Sequence, residues 1–252
     1  MNVFLTGASS GIGEALAKHY AARGATLGLV ARRAELLDRL KASLAPAIAE
    51  TYACDVRDLA AMKSAAEAFT ARHGIPDIVI ANAGVSYGTL TQVAEDVDTF
   101  RETLEINVMG IVNTFHPFVD RMRARGHGTL AGIASVAGFR GLPGASAYSA
   151  SKAAAIRYME ALRIELRGSG VTVSAICPGF IATPMTARNP YPMPFLIDAD
   201  HAARLIARAI DARKGYAVIP WQMAIVGRIL SIIPNALYDR LMARAGRKPR
   251  KA

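Results

Sequence analysis

Short apolar runs alternate with longer stretches of helical period along the whole chain. Asn2–Thr6, Thr26–Ala31, Ile48–Ala53, Asp77–Ala81, Gly128–Ser135, Val171–Cys177 and Tyr216–Pro220 read as strands. Gly11–Arg23, Ala34–Leu44, Leu59–His73, Val97–Arg125, Tyr148–Arg167 and Ala199–Arg213 read as helices, with a further helical region running to about Arg244. Runs such as Ile78-Val79-Ile80-Ala81 are apolar at every position. Such strands are covered on both faces, and covered strands separated by helices make a parallel sheet. Right-handed crossovers then predict a doubly wound α/β fold, a seven-stranded parallel sheet with helices on both faces. No linker or repeat breaks the pattern, so residues 1–252 read as one domain. Arg188–Pro194, with three prolines, is irregular. It marks residues 184–198 either as a substrate lid or as a rigid loop.

Composition adds exclusions. The 252 residues are 52% hydrophobic and 20% charged, the balance of a globular chain with a sizeable core. The N-terminus lacks the pattern of a signal peptide, and no apolar run reaches the ~18 residues of a membrane span. The nearest, Ala217–Leu237, is interrupted by Trp221, Gln222, Arg228 and Pro234. A cytoplasmic protein is expected. Cys54 and Cys177 match no metal spacing and read as two buried thiols, and no metal site is expected. Net charge is +10, but the cations are scattered along helices apart from the tail Arg244, Arg247, Lys248, Arg250 and Lys251. Without stacking aromatics among them, nucleic-acid binding is not expected.

The first strand runs into Thr6-Gly7-Ala8-Ser9-Ser10-Gly11-Ile12-Gly13. Gly7 suits a tight turn, Gly11 lets backbone approach a pyrophosphate, and Gly13 lets the next helix pack against the sheet. The helix N-terminus adds free N–H groups and partial positive charge. The spacing differs from the general dinucleotide fingerprint, and a purely structural turn is the alternative. The second strand ends at Arg32-Arg33, where an acidic residue would bind the ribose 2′-hydroxyl of NAD. Two guanidinium forks suit a 2′-phosphate instead, with Ser9 and Ser10 as further donors, so NADP(H) is the expected cofactor.

Tyr148 and Lys152 are four apart at the start of a helix and share one face. An ammonium near the phenol is expected to lower its pKa and make it an acid or base near neutral pH. A surface pair is the plainer alternative. Ser135 and Asn82-Ala83-Gly84 end strands at the carboxyl edge, where open α/β sheets place ligands. Asn107 falls inside the long helix, where an amide is unfavourable without a role.

In these motifs the chain resembles the short-chain dehydrogenase/reductase family. The resemblance rests on Thr6–Gly13, Cys54-Asp55-Val56, Asn82–Gly84, Asn107, Ser135, Tyr148-x-x-x-Lys152 and Pro178-Gly179-Phe180-Ile181-Ala182-Thr183, in family order. It implies a Rossmann-like fold and a catalytic tetrad of Asn107, Ser135, Tyr148 and Lys152. Tyr148 would exchange the proton, Ser135 orient the reacting oxygen, Lys152 hold the nicotinamide ribose, and Asn107 position a water. Asp55 and Val56 would contact adenine, with Asn82 and Ala83 nearby, and Ile181 and Thr183 would hold the carboxamide. Pro178 and Gly179 belong to the same cofactor segment. The implied activity is reduction of a carbonyl, or oxidation of an alcohol, on a small molecule by a homo-dimer or homo-tetramer.

The region after Thr183 does not name a substrate. Tyr191, Met193, Phe195 and Leu196 suggest a hydrophobic or lipid-like one. The segment 221–252 is an apolar helix and basic tail. It reads as core or interface packing, with membrane-surface contact or a cover for the site as alternatives. A silent cofactor-binding sensor is the competing non-enzymatic reading.

Overall fold

The computed structural model describes residues 1–251. Its main sheet has seven parallel strands in the order β3-β2-β1-β4-β5-β6-β9. These are β1 (Asn2–Thr6), β2 (Thr26–Ala31), β3 (Ala49–Ala53), β4 (Ile78–Ala81), β5 (Gly128–Ile133), β6 (Val171–Pro178) and β9 (Tyr216–Ile219). The helices between them are α1 (Gly11–Ala21), α2 (Ala34–Ser43), α3 (Leu59–His73), α4 (Glu95–Leu104), α5 (Gly110–Arg125), α6 (Ser146–Glu165) and α7 (Ala199–Asp211). Two more follow, α8 (Trp221–Ile232) and α9 (Asn235–Met242).

Two apolar layers sandwich the sheet. On one face Leu16 and Tyr20 of α1, Leu37 and Leu40 of α2, and Ile206 and Ile210 of α7 pack on Leu5, Leu27, Leu29 and Ile80. On the other, Met62 and Phe69 of α3, Phe115 and Phe118 of α5, and Met159 and Leu162 of α6 pack on Phe4, Val30, Val79 and Leu130. The strands are therefore apolar on both sides because both sides meet helices. Local chemistry fixes the helix ends. Asp58 and Asp198 accept from the backbone N–H groups of Ala61 (3.0 Å) and His201 (2.6 Å), capping α3 and α7. Gly126 closes α5 in the left-handed conformation.

The structure differs from the sequence expectation in three places that bear on the site. The stretch Val97–Arg125 is not one helix: a π turn, Glu105–Met109, separates α4 from α5. A widened turn carries one extra residue and is a recurrent device at functional sites. The fifth strand stops at Ile133, so Ser135 lies beyond it and caps a short 3-10 turn, accepting from Ala137 N–H at 3.1 Å. Finally, β7 (Ile181–Ala182) pairs in parallel with β8 (Ile197–Asp198), a two-residue sheet that no run of apolar residues announced.

Candidate active site

The winding of the sheet reverses between β1 and β4, and a cleft opens there at the carboxyl ends of the strands. Gly7, Ser9, Ser10, Gly11, Ile12, Arg32, Arg33, Asp55, Val56, Asn82, Ala83, Gly84, Ser135, Tyr148, Lys152, Pro178, Gly179, Ile181 and Thr183 all line it. Gly13 and Asn107 do not. Gly13 lies beneath the loop, where a Cβ would sit 2.1 Å from the Gly7 carbonyl oxygen, so only glycine lets α1 start this close to β1. Asn82 also turns inward: its amide nitrogen donates to the Thr6 and Gly7 carbonyls at 3.1 and 3.2 Å. It ties β4 to the glycine loop and so fixes the loop's shape.

At the far end of the loop, the Arg33 guanidinium donates to the hydroxyls of Ser9 (2.9 Å) and Ser10 (3.0 Å). Arg32 leans the other way, 3.8 Å from Asp55. Hydrogen bonds from Arg57 hold the Asp55 carboxyl below its ordinary range. The result is a fork and two hydroxyls converging at the end of β2, a donor set suited to a phosphate dianion.

The other end of the cleft is built by β5, α6 and the π turn. Lys152 is 4% exposed, and its ammonium donates to the Ile133 carbonyl at 2.8 Å. Its Nζ lies 5.8 Å from the centre of the Tyr148 ring. Burial lowers the Lys152 pKa to about 8, because a low-dielectric wall disfavours the charged form. The same burial pushes the Tyr148 phenol up, with the Ser135 hydroxyl beside it acting in the opposite direction. The expected lowering of Tyr148 by its lysine is therefore not realised: desolvation is the larger effect, and the lysine spends a donor on β5. Ser135 itself reaches the Pro178 carbonyl at 3.4 Å, joining β5 to β6.

Asn107 is wholly buried in the π turn. Its side chain accepts from Val85 N–H (2.8 Å) and donates to the Val85 carbonyl and to Ser151 Oγ (both 2.9 Å). Ser151 in turn donates to the Tyr148 carbonyl at 2.7 Å. The amide thus locks the segment after β4 to the helix that carries Tyr148 and Lys152.

Sequence reasoning missed several residues. Ser151 could have been found, since it is three residues from Tyr148 and so near it on a helix. Thr186, another cleft residue, accepts from Thr183 N–H (3.0 Å) and donates to the Ile181 carbonyl (2.5 Å), shaping the segment after β6. Its signal was the Thr183-x-x-Thr186 spacing. Val85, Ile106 and Met185 add apolar walls and carry no motif. The two cysteines divide: Cys177 is buried as expected, whereas Cys54 is half-buried and lines the cleft. Burial raises both thiols to about 11, which keeps them protonated and unreactive at neutral pH.

A doubly wound parallel sheet with a glycine loop at its reversal and a Ser–Tyr–Lys group at its carboxyl edge defines a class of nicotinamide-dinucleotide oxidoreductases. The chain belongs to the short-chain dehydrogenase/reductase family: the family model described as short chain dehydrogenase matches residues 1–192. An oxidoreductase of Myxococcus xanthus is 39% identical over 237 residues, covering 93% of both chains. Among solved structures, levodione reductase superimposes with a TM-score of 0.78 at 29% identity, over 88% of this chain and 97% of that one. A short-chain dehydrogenase/reductase from Burkholderia phymatum in complex with NAD gives 0.82 at 25% identity, over 100% and 98%. An alcohol dehydrogenase from Thermococcus sibiricus complexed with 5-hydroxy-NADP gives 0.77 at 25% identity, over 86% and 95%. The chain is thus an oxidoreductase of a family that acts on CH–OH and C=O groups with NAD(P)(H). Among the described residues no helix is long and apolar enough to cross a membrane.

Burial of Lys152 has a measurable sign. Its folded pKa, about 8, lies below the ordinary 10.5. Between those values the unfolded chain holds the proton and the folded one does not, so stability contributed by this group rises with pH there. Below pH 8 the buried ammonium is a full cost. In cofactor-free protein, Lys152→Met is expected to raise Tm relative to wild type at pH 7, and the gap to narrow as pH approaches 10. A gap independent of pH, read by calorimetry, would show that the ammonium is not desolvated.

Proposed function

We propose that this chain is an NADPH-dependent carbonyl reductase, with residues 1–252 forming one domain that carries both the cofactor site and the reacting site. The observation that carries the reading is the sharing of one cleft by two donor sets: Arg33 with Ser9 and Ser10 at one end, Ser135 with Tyr148 and Lys152 at the other. When bound there, NADPH supplies the hydride to the substrate carbon.

This chain's own residues do the rest. The α1 N-terminus and the backbone of Gly11 and Ile12 meet the pyrophosphate, and Arg32 and Arg33 neutralise the 2′-phosphate. Asp55 and Val56 border the adenine, while Ala83 and Gly84 let the cofactor pass close to β4. Pro178, Gly179, Ile181 and Thr183 hold the carboxamide end. Ser135 donates to the substrate oxygen and fixes its direction. Tyr148 gives its proton to that oxygen as negative charge develops on it. A phenol raised by burial stays protonated at neutral pH and so holds the proton to be given, the nearby ammonium being what eases its release. Lys152 holds the ribose hydroxyls and supplies the charge that stabilises the phenolate left behind. Asn107 is a positioning residue, joining α6 to the β4 segment. The lid 184–198, with Tyr191, Met193, Phe195 and Leu196, gives the substrate an apolar body.

The C-terminal helix α8 packs on the core only in part, through Met223 and Gly227. On α8, Trp221 (68%), Ile225 (53%), Ile229 (51%) and Ile232 (76%) are exposed. Exposed apolar patches of this kind mark association surfaces. We assign this one to the homo-oligomer interface, in preference to a lipid surface, because no cation other than Arg228 shares the helix.

Three outcomes test these assignments. Tyr148→Phe is expected to lower kcat by about 10² or more while NADPH affinity, read by fluorescence titration, stays near wild type. Turnover equal to wild type removes the proton-donor role. Arg32→Asp with Arg33→Ala is expected to weaken NADPH by roughly tenfold or more and NADH far less, the value of one or two charge-assisted hydrogen bonds. Equal losses for both cofactors end the 2′-phosphate assignment. Ile229→Asp is expected to shift the sedimentation coefficient to that of a monomer; an unchanged oligomer, or flotation of wild type with anionic liposomes, places the interface elsewhere.

A further inference from the structure

The last residues of the chain return to the reacting site. Arg250 Nε donates to both carboxylate oxygens of Asp96, at 3.0 and 2.9 Å, and Asp96 is 4% exposed. Gly88 N–H donates to the Pro249 carbonyl at 2.7 Å, and Gly88 bridges to Arg250 in parallel pairing. The approach requires glycine: a Cβ on residue 88 would lie 2.2 Å from the Lys248 carbonyl oxygen. Lys251 pairs with Glu102 of α4, Arg247 packs on Gly144, and Tyr191 of the lid packs on Gly246. The tail therefore runs as a strap between the loops after β4 and β5 and the lid.

This path carries Lys248 over the catalytic tyrosine. Its Nζ stands 5.5 Å from the centre of the Tyr148 ring, as near as Lys152, which is at 5.8 Å. The side chain is half-buried, and burial lowers its pKa to about 8. Among the described residues no carboxylate lies within ion-pairing distance of it, although its neighbours Arg250 and Lys251 each have one. A half-buried cation without a counter-charge is incompletely solvated, and contact with a ring face offsets only part of that cost. Lys152 cannot be the residue that answers it, since both are ammoniums. An anion bound beside the Tyr148 ring would meet this ammonium.

We propose that Lys248 is a specificity residue that binds a carboxylate on the substrate, so that the chain acts on oxo acids in preference to neutral carbonyl compounds. The proposal rests on the carbonyl-reductase reading of Tyr148. The strap fixes the position of the charge through Asp96 and Arg250. With the carbonyl oxygen at the Tyr148 hydroxyl, an ammonium above the ring reaches a carboxylate a few bonds along the substrate.

The test uses the full-length chain saturated with NADP⁺, a complex in which a ketone binds but does not react. Benzoylformate and 4-oxopentanoate are titrated beside their methyl esters by calorimetry, and the same pairs are assayed with NADPH. Wild type is expected to favour each acid over its ester in both Kd and kcat/KM. Lys248→Met is expected to lower that preference at least tenfold, with NADPH affinity unchanged. Lys248→Arg should retain the preference, and Asp96→Asn should weaken it by loosening the strap. An acid-to-ester ratio that is the same in wild type and Lys248→Met overturns the proposal, as does preference for the esters in wild type. If the acids bind through Lys248 but no carbonyl is reduced, the reductase reading fails and the anion site stands.

Discussion

Parallel pairing of β1 with β4 at the point where the winding reverses sets where everything else must go. The crossovers leave on opposite faces there, so no helix covers the carboxyl ends of these strands and a cleft is left between the loops. One side of it is a helix N-terminus with uncompensated N–H groups; the other is the end of β5 and the first turns of α6. The Arg33–Ser9–Ser10 donor set and the Ser135–Tyr148–Lys152 group thereby stand at opposite ends of one groove. Neither could be moved without unpicking the sheet.

The Tyr148 end is held by polar atoms that are almost all spoken for. Asn107 joins Val85 to Ser151, Ser151 joins Asn107 to the backbone of Tyr148, and Lys152 is tied to Ile133. Such a connected network is rigid because any member that moves leaves a buried polar group unpaired. Burial raises the phenol and lowers the ammonium, shifting each toward its uncharged form without neutralising the ammonium at neutral pH.

Much of this was legible in the sequence, for stateable reasons. Strand and helix placement followed from the two periods of apolar residues, and the glycine loop from a turn that only glycine tolerates. The Tyr148–Lys152 pair followed from helical spacing. What escaped were features set by distant contacts. The π turn at Asn107 has no local propensity signal; it exists because the amide finds Val85 and Ser151, 22 and 44 residues away. The direction of the Tyr148 shift depends on burial, which spacing does not reveal. The strap depends on Arg250 meeting Asp96 across 154 residues, and a basic tail read alone looks like solvated charge. Apolar α8 read as core or interface packing, since composition cannot say which elements remain to cover it.

The two-residue pairing of Ile181–Ala182 with Ile197–Asp198 clamps the ends of the intervening loop side by side. Its closure is settled by β6 and α7 rather than by what lies between. Doubling the length of a flexible loop closed in this way costs only about 0.6 kcal/mol. Residues 187–196, beyond the Thr183–Thr186 turn, are therefore a replaceable cassette. Segments of other length and composition can be grafted between the same two strands while the cleft residues stay where the sheet holds them.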